Sequence, residues 1–554
     1  MSNRLNRSCP LSSSNSGRRS WLKKCTGLLA SGALFSCAQN GSSPDKTTEP
    51  DQTACLEPEY QVFFGDIHTH NNIGLAQGSL ERSYEIARSH LDFFSSTPHS
   101  YFHDKPPMSP RGEMLWENGI ARTKKRWPDI QRLNRDYNEP GKFVAFNGYE
   151  WHSVHYGDYV ALFPTEVSPL THFDDLKSLQ QFAEKHGALL IPHHLAYSPD
   201  NRGANTAHWN PAVTPVVEIY SEHGNAESDR GPHDYIRHSH GGRWTPNTYQ
   251  SILAAGHRTG ALASTDDHFG FPGAYGEGLA AVLTKELTRE AVFDALRNKR
   301  TYAVTGDRIK LDFRLNGGHM GNELDFSPQR EIYVHAQGWD EIERVELIKN
   351  GKVIHRDFPL DRDQTEDIWE NPLLLRVEYG WGPWSRLENV RIADWEMDVH
   401  LQGGKIEALQ PCWQSGPLAE ERRNELSQQS AEGFRLVSYT SRHQAFEEKA
   451  TNAIVLKARV KPQDKLVIQC RKPTAITIEK SMAELLQSSQ VVLCGPYPEE
   501  SILIHRMVSQ QKARSVFRLV DQANGKQDDW YYVRVIQSNG QMAWSSPIWV
   551  NAQA

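Results

Sequence analysis

Between residues 60 and 305, short apolar runs alternate with amphipathic helical stretches, and a cluster of histidines or carboxylates closes most of the runs. The apolar runs at 62–70, 91–97, 143–146, 188–191, 216–220 and 259–264 read as strands. Helical periodicity intervenes at 80–89, 174–185, 248–255 and from Thr288, a suitable N-cap, to about residue 298. In the second of these helices Leu176, Leu179, Phe182 and Ala183 share a face, and Gly187 is placed to end it. Repeated βα units imply parallel strands, and chemistry gathered at strand C-termini implies a barrel. A doubly wound open sheet is the alternative, but its ligands collect at one switch point.

The first run, Val62-Phe63-Phe64, leads into Gly65-Asp66-Ile67-His68-Thr69-His70. Residues i and i+2 of a strand point the same way, so His68 and His70 can converge on one ion. Two surface histidines on an exposed strand would look the same. Weight comes from the later clusters: His99, Glu150, His193-His194, His223 and Asp266-Asp267-His268. Zinc, manganese and iron accept imidazole and carboxylate ligands together, and such a set can hold two or three divalent ions. Bridged ions lower the pKa of a shared water and neutralise charge on a phosphoryl or acyl oxygen, which is hydrolytic chemistry.

Four neighbours have weaker roles. Asp66 can orient a metal-binding histidine from behind, or simply bond a turn. Asp267 points away from Asp266 in a strand and reads as structural. His152 and His155 follow Glu150 closely and are as compatible with a surface loop as with a site. Arg111, Arg230, Arg237, Arg243 and Arg308 lie in or near strand-end loops as candidate anion contacts, although any one arginine is more often a surface charge.

After Arg308 the pattern changes to short β-type segments divided by turns, with hairpin signals at Asn350-Gly351 and Asn539-Gly540. A β-sandwich-like domain is expected over 306–554, with an insertion near 361–525. Many of the 15 Trp and 19 Tyr fall in this half, as suits either a packed β core or a glycan-binding surface.

At the N-terminus, Gly17-Arg18-Arg19-Ser20-Trp21-Leu22-Lys23-Lys24 resembles a twin-arginine export signal, and the apolar stretch behind it is too short to span a bilayer. Leu34-Phe35-Ser36-Cys37 resembles a lipobox, which implies a signal peptide over 1–36 and lipidation of Cys37. Residues 37–56 then form a tether, and the protein is expected at the bacterial cell envelope, anchored by lipid. Cys55, Cys412, Cys470 and Cys494 have no CxxC spacing, which argues against a cysteine zinc site. Export permits disulfides among the last three, with the pairing open. A formal net charge of −7 offers no basic face for nucleic acid; the expected partner is a small-molecule or polymer ester.

His68-x-His70, Glu150, His193 and Asp266-x-His268, in that order on successive βα units, resemble the PHP (polymerase and histidinol phosphatase) superfamily. The words Gly148-Tyr149-Glu150-Trp151, Ser264-Thr265-Asp266-Asp267-His268 and Arg300-Thr301-Tyr302-Ala303-Val304-Thr305 resemble an uncharacterised bacterial branch of it, as do Trp530-Tyr531-Tyr532-Val533-Arg534-Val535 and Ala543-Trp544-Ser545-Ser546-Pro547. The resemblance implies a distorted (βα)7 barrel over 57–305, a trinuclear metal centre and hydrolysis of phosphate esters. It also implies that His68 and His70 bind one ion with Asp266, that Glu150 bridges ions, and that His99, His193, His223 and His268 complete the set. Thr97-Pro98-His99 stands where the family often has Thr-Asp-His, so one carboxylate is missing. His193 fits the family's Ala-His-Pro word better than His194, which is left as a supporting residue. Hydrolysis of a non-phosphate ester or amide is the alternative activity; a non-catalytic glycan-binding protein is the alternative class.

Overall fold

The computed structural model describes residues 58–553 except 236–241, 364–366, 383–391, 415–420, 442–450, 496–499 and 524. The export signal, Cys37, the tether, Cys55 and Arg237 lie outside the described residues.

Strand β1 (Gln61–Asp66) is the pivot of the N-terminal half. It pairs in parallel with β2 (Phe93–Ser96), which pairs in parallel with β4 (Val144–His152). The short β3 (His99–Phe102) runs beside β4, also in parallel. Each crossover is a helix whose apolar face meets the sheet. In α1 (Leu80–His90), Leu80, Tyr84 and Ala87 fall on one face at helical spacing, and all three are buried. The second crossover is α2 (Pro110–Tyr137), 28 residues long, capped by Ser109 and started by a proline.

The uniform βα repeat then breaks. Strand β4 turns through residues 153–158 with no intervening helix, so β5 (Tyr159–Phe163) must return antiparallel. Strand β6 (Leu189–Pro192), reached through α3 (Leu176–His186), pairs antiparallel with β5 and so runs with β4 again. Strand β7 (Val216–Ser221), with its short antiparallel partner β8 (Gly224–Asn225), belongs to a separate three-stranded sheet. There β7 pairs in parallel with β9 (Gly260–Ala263), after the single-turn helix α4 (Tyr249–Ala254). On the far side of β1, β10 (Leu279–Thr284) and β11 (Thr301–Val304) are both antiparallel to their neighbours, with α5 (Arg289–Arg297) between them. The half is therefore mixed α/β, with strand directions that depart from a closed ring of seven parallel units.

Hydrogen bonds beyond the strands draw their ends together. The Asp266 amide donates to the His68 carbonyl at 2.8 Å and the His70 amide to the Asp267 carbonyl at 2.9 Å. The extensions of β1 and β9 are thus zipped to each other where the histidines lie.

The described residues from 310 onward are all-β apart from the short helix Met482–Gln487 and 3-10 turns. Strand β11 pairs with Met542–Ser545, which pairs with Asp529–Gln537, so one 14-stranded sheet crosses from the N-terminal half into the last strands. A two-sheet module at 373–509 interrupts this region and has its own core around Trp395, Leu456 and Ile468. Phe271 and Ala274, in the loop after Asp266 and His268, pack into that core. The three described cysteines, Cys412, Cys470 and Cys494, are buried and free. No helix among the described residues is long and apolar enough to cross a membrane.

Candidate metal centre

The residues closing β1, β2, β4, β6, β7 and β9 meet in one buried place. His68, His70, His99, Glu150, His152, His193, His194, His223 and Asp266 are each no more than 6 % exposed. His268, at the mouth, keeps about a third of its side chain exposed.

Two carboxylates organise the cluster. Around Glu150 stand His193 Nε2 at 2.7 Å from Oε1, with His152 Nε2 at 3.3 Å, His70 Nε2 at 3.5 Å and His99 Nε2 at 3.6 Å from Oε2. Around Asp266 stand His70 Nε2 at 2.9 Å and His68 Nε2 at 3.3 Å from Oδ1, with His223 Nε2 at 2.9 Å and His194 Nε2 at 4.0 Å from Oδ2. His70 faces both. Donor atoms on a tetrahedral ion with bonds of about 2.0–2.2 Å stand roughly 3.3–3.6 Å apart, the edge of the polyhedron. Several of these pairs have that separation, too long for good hydrogen bonds. Glu150 Oε2, His68 Nε2 and His152 Nε2 have no hydrogen-bond partner although fully buried. Buried polar atoms left unmatched in this way demand a missing partner, and a cation among imidazole and carboxylate donors is the partner their chemistry fits. Overlapping groups of three or four donors, such as His68–His70–Asp266 and His194–His223–Asp266, lie close enough to hold an ion.

The buried imidazoles agree. Burial pushes His70 and His193 down to about 3 and holds His68, His99 and His194 well below the usual imidazole range. These rings are neutral, with a nitrogen lone pair to offer. Burial alone would raise Asp266, but His68 and His223 hold it well below the carboxylate range. Burial, with Asp158 and Asp266 nearby, raises Glu150 well above it. Burial disfavours charge on His268, yet its bond to Glu222 lifts it to about 9.

Behind the donors lies a layer that fixes them. Glu218 Oε2 meets His68 Nδ1 at 2.9 Å, which aims Nε2 inward. Asp158 lies 3.5 Å from His152 Nδ1 and accepts from Arg202 Nε at 2.7 Å. His194 and Asp266 have positive φ, 55° and 53°, a backbone cost typical of sites held in place by their surroundings.

The eight expected ligands converge, and so do His152 and His194. Asp66 touches no imidazole. Its carboxylate accepts from the amides of His68, Thr265 and Gly273 and from the Thr265 hydroxyl, tying β1 to the turn after β9. Asp267 accepts from the amides of Phe269 and Phe271 and shapes that turn. His155 is half exposed and pairs with Asp200. None of the described candidate arginines reaches the centre: Arg111 and Arg230 are exposed, Arg243 clasps loop carbonyls and Arg308 binds the His90 carbonyl. Arg202 does reach it, and sequence reasoning passed over it, together with Asp158, Glu218 and Glu222. Glu218 was legible in principle, since a carboxylate inside the apolar run of β7 must have a buried partner. Arg202 and Asp158 sit in loops with no such signal.

A cavity of about 350 Å³ opens onto the centre. Its polar lining is His99, Glu150, His194, His223, Asp266, His268 and Arg202, and its apolar lining is Leu75, Phe102, Pro106, Met108 and Trp116.

A family described as a protein of unknown function (DUF3604) matches residues 249–332, which include Asp266 and His268. An uncharacterised protein of Chlamydia pneumoniae is 26% identical over 309 residues, 51% of this chain and 50% of its own length. An uncharacterised protein of Chlamydia trachomatis serovar D is 28% identical over 256 residues, 42% of this chain and 40% of its own. The chain thus spans about half the length, or less, of these curated relatives. Among solved structures, a two-domain protein from Bacteroides vulgatus containing a predicted PHP-like metal-dependent phosphoesterase superposes with a TM-score of 0.31 and 13% identity, covering 78% of this chain and 99% of that one. So slight a superposition carries no argument about fold or activity.

Proposed function

We propose that this protein is a metal-dependent hydrolase of the PHP type, a phosphoesterase whose centre holds two to three divalent ions. The observation that carries the reading is the ring of buried, neutral imidazoles around Glu150 and Asp266, with donor atoms at ligand separations and unmatched polar atoms facing one another. His68, His70, His223 and Asp266 would hold one end of the centre, and His99, His152, His193 and Glu150 the other. Bound ions supply Lewis acidity: they bring a water's pKa toward neutrality and offset charge growing on the oxygen under attack.

The chain's own residues do the rest. Glu218 fixes the His68 ring. Arg202, held by Asp158 and lying over the Phe102 ring at 5.9 Å, puts a cation in the cavity lining, where it can meet an anionic ester. The twin arginines and Cys37 support placing the enzyme on the cell envelope through a lipid anchor.

A second reading, hydrolysis of a carboxylic ester or amide, is favoured by one observation: Arg202 and His268, which line the cavity, are already paired with Asp158 and Glu222. Activity of metal-loaded protein on phosphomonoesters, phosphodiesters, carboxylic esters and amides separates the two. The phosphoesterase reading expects phosphate-ester turnover that chelation abolishes and that His68→Ala lowers at least about a hundredfold, as loss of a metal ligand or its support does. Turnover of carboxylic esters or amides alone overturns it, as does undiminished activity of the chelated protein.

A further inference from the structure

The cavity over the metal centre is lined by two unlike sets of side chains, and the apolar set serves none of the roles assigned so far. Trp116 stands on α2 and meets Phe102 at 5.1 Å between ring centroids. Its ring is edge-on to His99 at 5.4 Å and to His152 at 5.0 Å. Met108 and Leu75 continue this surface along the cavity. Trp116, Met108 and Leu75 are only partly buried, so their apolar atoms face the open space beside the donors instead of filling a core. A polar cleft built for a polyol would offer amides and hydroxyls here; this apolar set offers no hydrogen-bonding side chain except the Trp116 indole.

Resting on the hydrolase reading above, we propose that the ester cleaved here carries an apolar, flat or compact alcohol group, aryl or short branched alkyl, seated against Trp116, Phe102, Met108 and Leu75. The acid part of the substrate lies toward Glu150, Asp266 and Arg202. The volume supports a small substrate: about 350 Å³ is at the lower end of the roughly 300–1,000 Å³ typical of small-ligand pockets. It suits one ring and its ester group. The metal donors fix the orientation, because reversing the ester would move its anionic end away from them toward the Trp116 indole.

The test compares phenyl phosphate with glycerol phosphate on the same metal-loaded, full-length protein. The proposal expects kcat/KM for the phenyl ester to exceed that for the glycerol ester at least about tenfold, after correction for the intrinsic reactivity of each ester in solution, a discrimination within reach of an apolar pocket. Met108→Ser touches no metal donor, and it should lower the phenyl preference about threefold to tenfold, mainly through KM. Trp116→Ala should erase most of the preference, whereas Trp116→Phe should restore part of it; metal content of each variant is measured alongside because Trp116 leans on His99 and His152. Equal or better use of glycerol phosphate overturns the substrate class while leaving the phosphoesterase standing. A preference untouched by Met108→Ser and Trp116→Ala likewise overturns the seating. Hydrolysis of neither ester overturns this inference, and the phosphoesterase reading is then decided by the wider panel of phosphate esters above.

Discussion

At the scale of single residues, the cluster is expensive without its cations. His68, His70, His99, His193 and His194 are neutral in the fold and well below their usual range because they are buried. In the unfolded chain each takes up a proton below about pH 6.5. Their depressed values therefore give a stability that is fully present above about pH 6.5 and is lost as pH falls toward about 3, where His70 and His193 titrate in the fold. Glu150 and Glu218 work in the other sense. Burial raises both, so the fold keeps protons that the unfolded chain releases above about pH 4.5, and that contribution fades as pH rises. Metal-free protein should then be most stable near pH 6.5 and weaker at both pH 5 and pH 8. Metal binding should reduce the alkaline decline, because a metal-bound Glu150 has already lost its proton, while Glu218 keeps its share. Denaturant midpoints at the three pH values, with and without metal, check this. A metal-free midpoint that climbs steadily to pH 8 would show that Glu150 and Glu218 are not held protonated.

At the scale of elements, what the sequence disclosed and what it hid have physical reasons. The helix α3 was legible because its apolar face is regular and Gly187, at φ 64°, can adopt the left-handed cap that ends it. Thr288 caps α5 by accepting from the Ala291 amide, as its position suggested. The 28-residue α2 was not legible: Gly112, Gly119 and Pro128 interrupt it, and its buried face is sparse. The antiparallel β5 was hidden because an apolar run says nothing of strand direction. Missing α2 mattered, since it carries Trp116 to the site. The motif glycine of β1 also has a clear cause. A Cβ on Gly65 would collide with the ring and carbonyl of Phe93 on β2, three residues before His68. Gly65→Val should push β1 from β2 at a cost of about 1–3 kcal/mol, the usual penalty of overpacking. Thermal unfolding and metal titration check it: a lowered midpoint with weakened metal uptake is expected, and an unchanged midpoint would contradict the close approach.

At the scale of the whole molecule, the centre rests on both halves of the chain. The sheet holding β1 continues through β11 into Met542–Ser545 and Asp529–Gln537, and Phe271 and Ala274, just after Asp266 and His268, pack into the 373–509 module. A sequence read in segments shows the βα half and the β half separately, and only long-range pairing shows one supporting the other. The most direct test of the account is therefore elemental analysis of the intact protein, purified without chelator, beside Glu150→Ala and Asp266→Ala. The account predicts about two to three equivalents of zinc, manganese or iron in the native protein, as a multinuclear site requires, and loss of at least one equivalent in each folded variant. Native protein that retains no metal and takes none up on titration would contradict it.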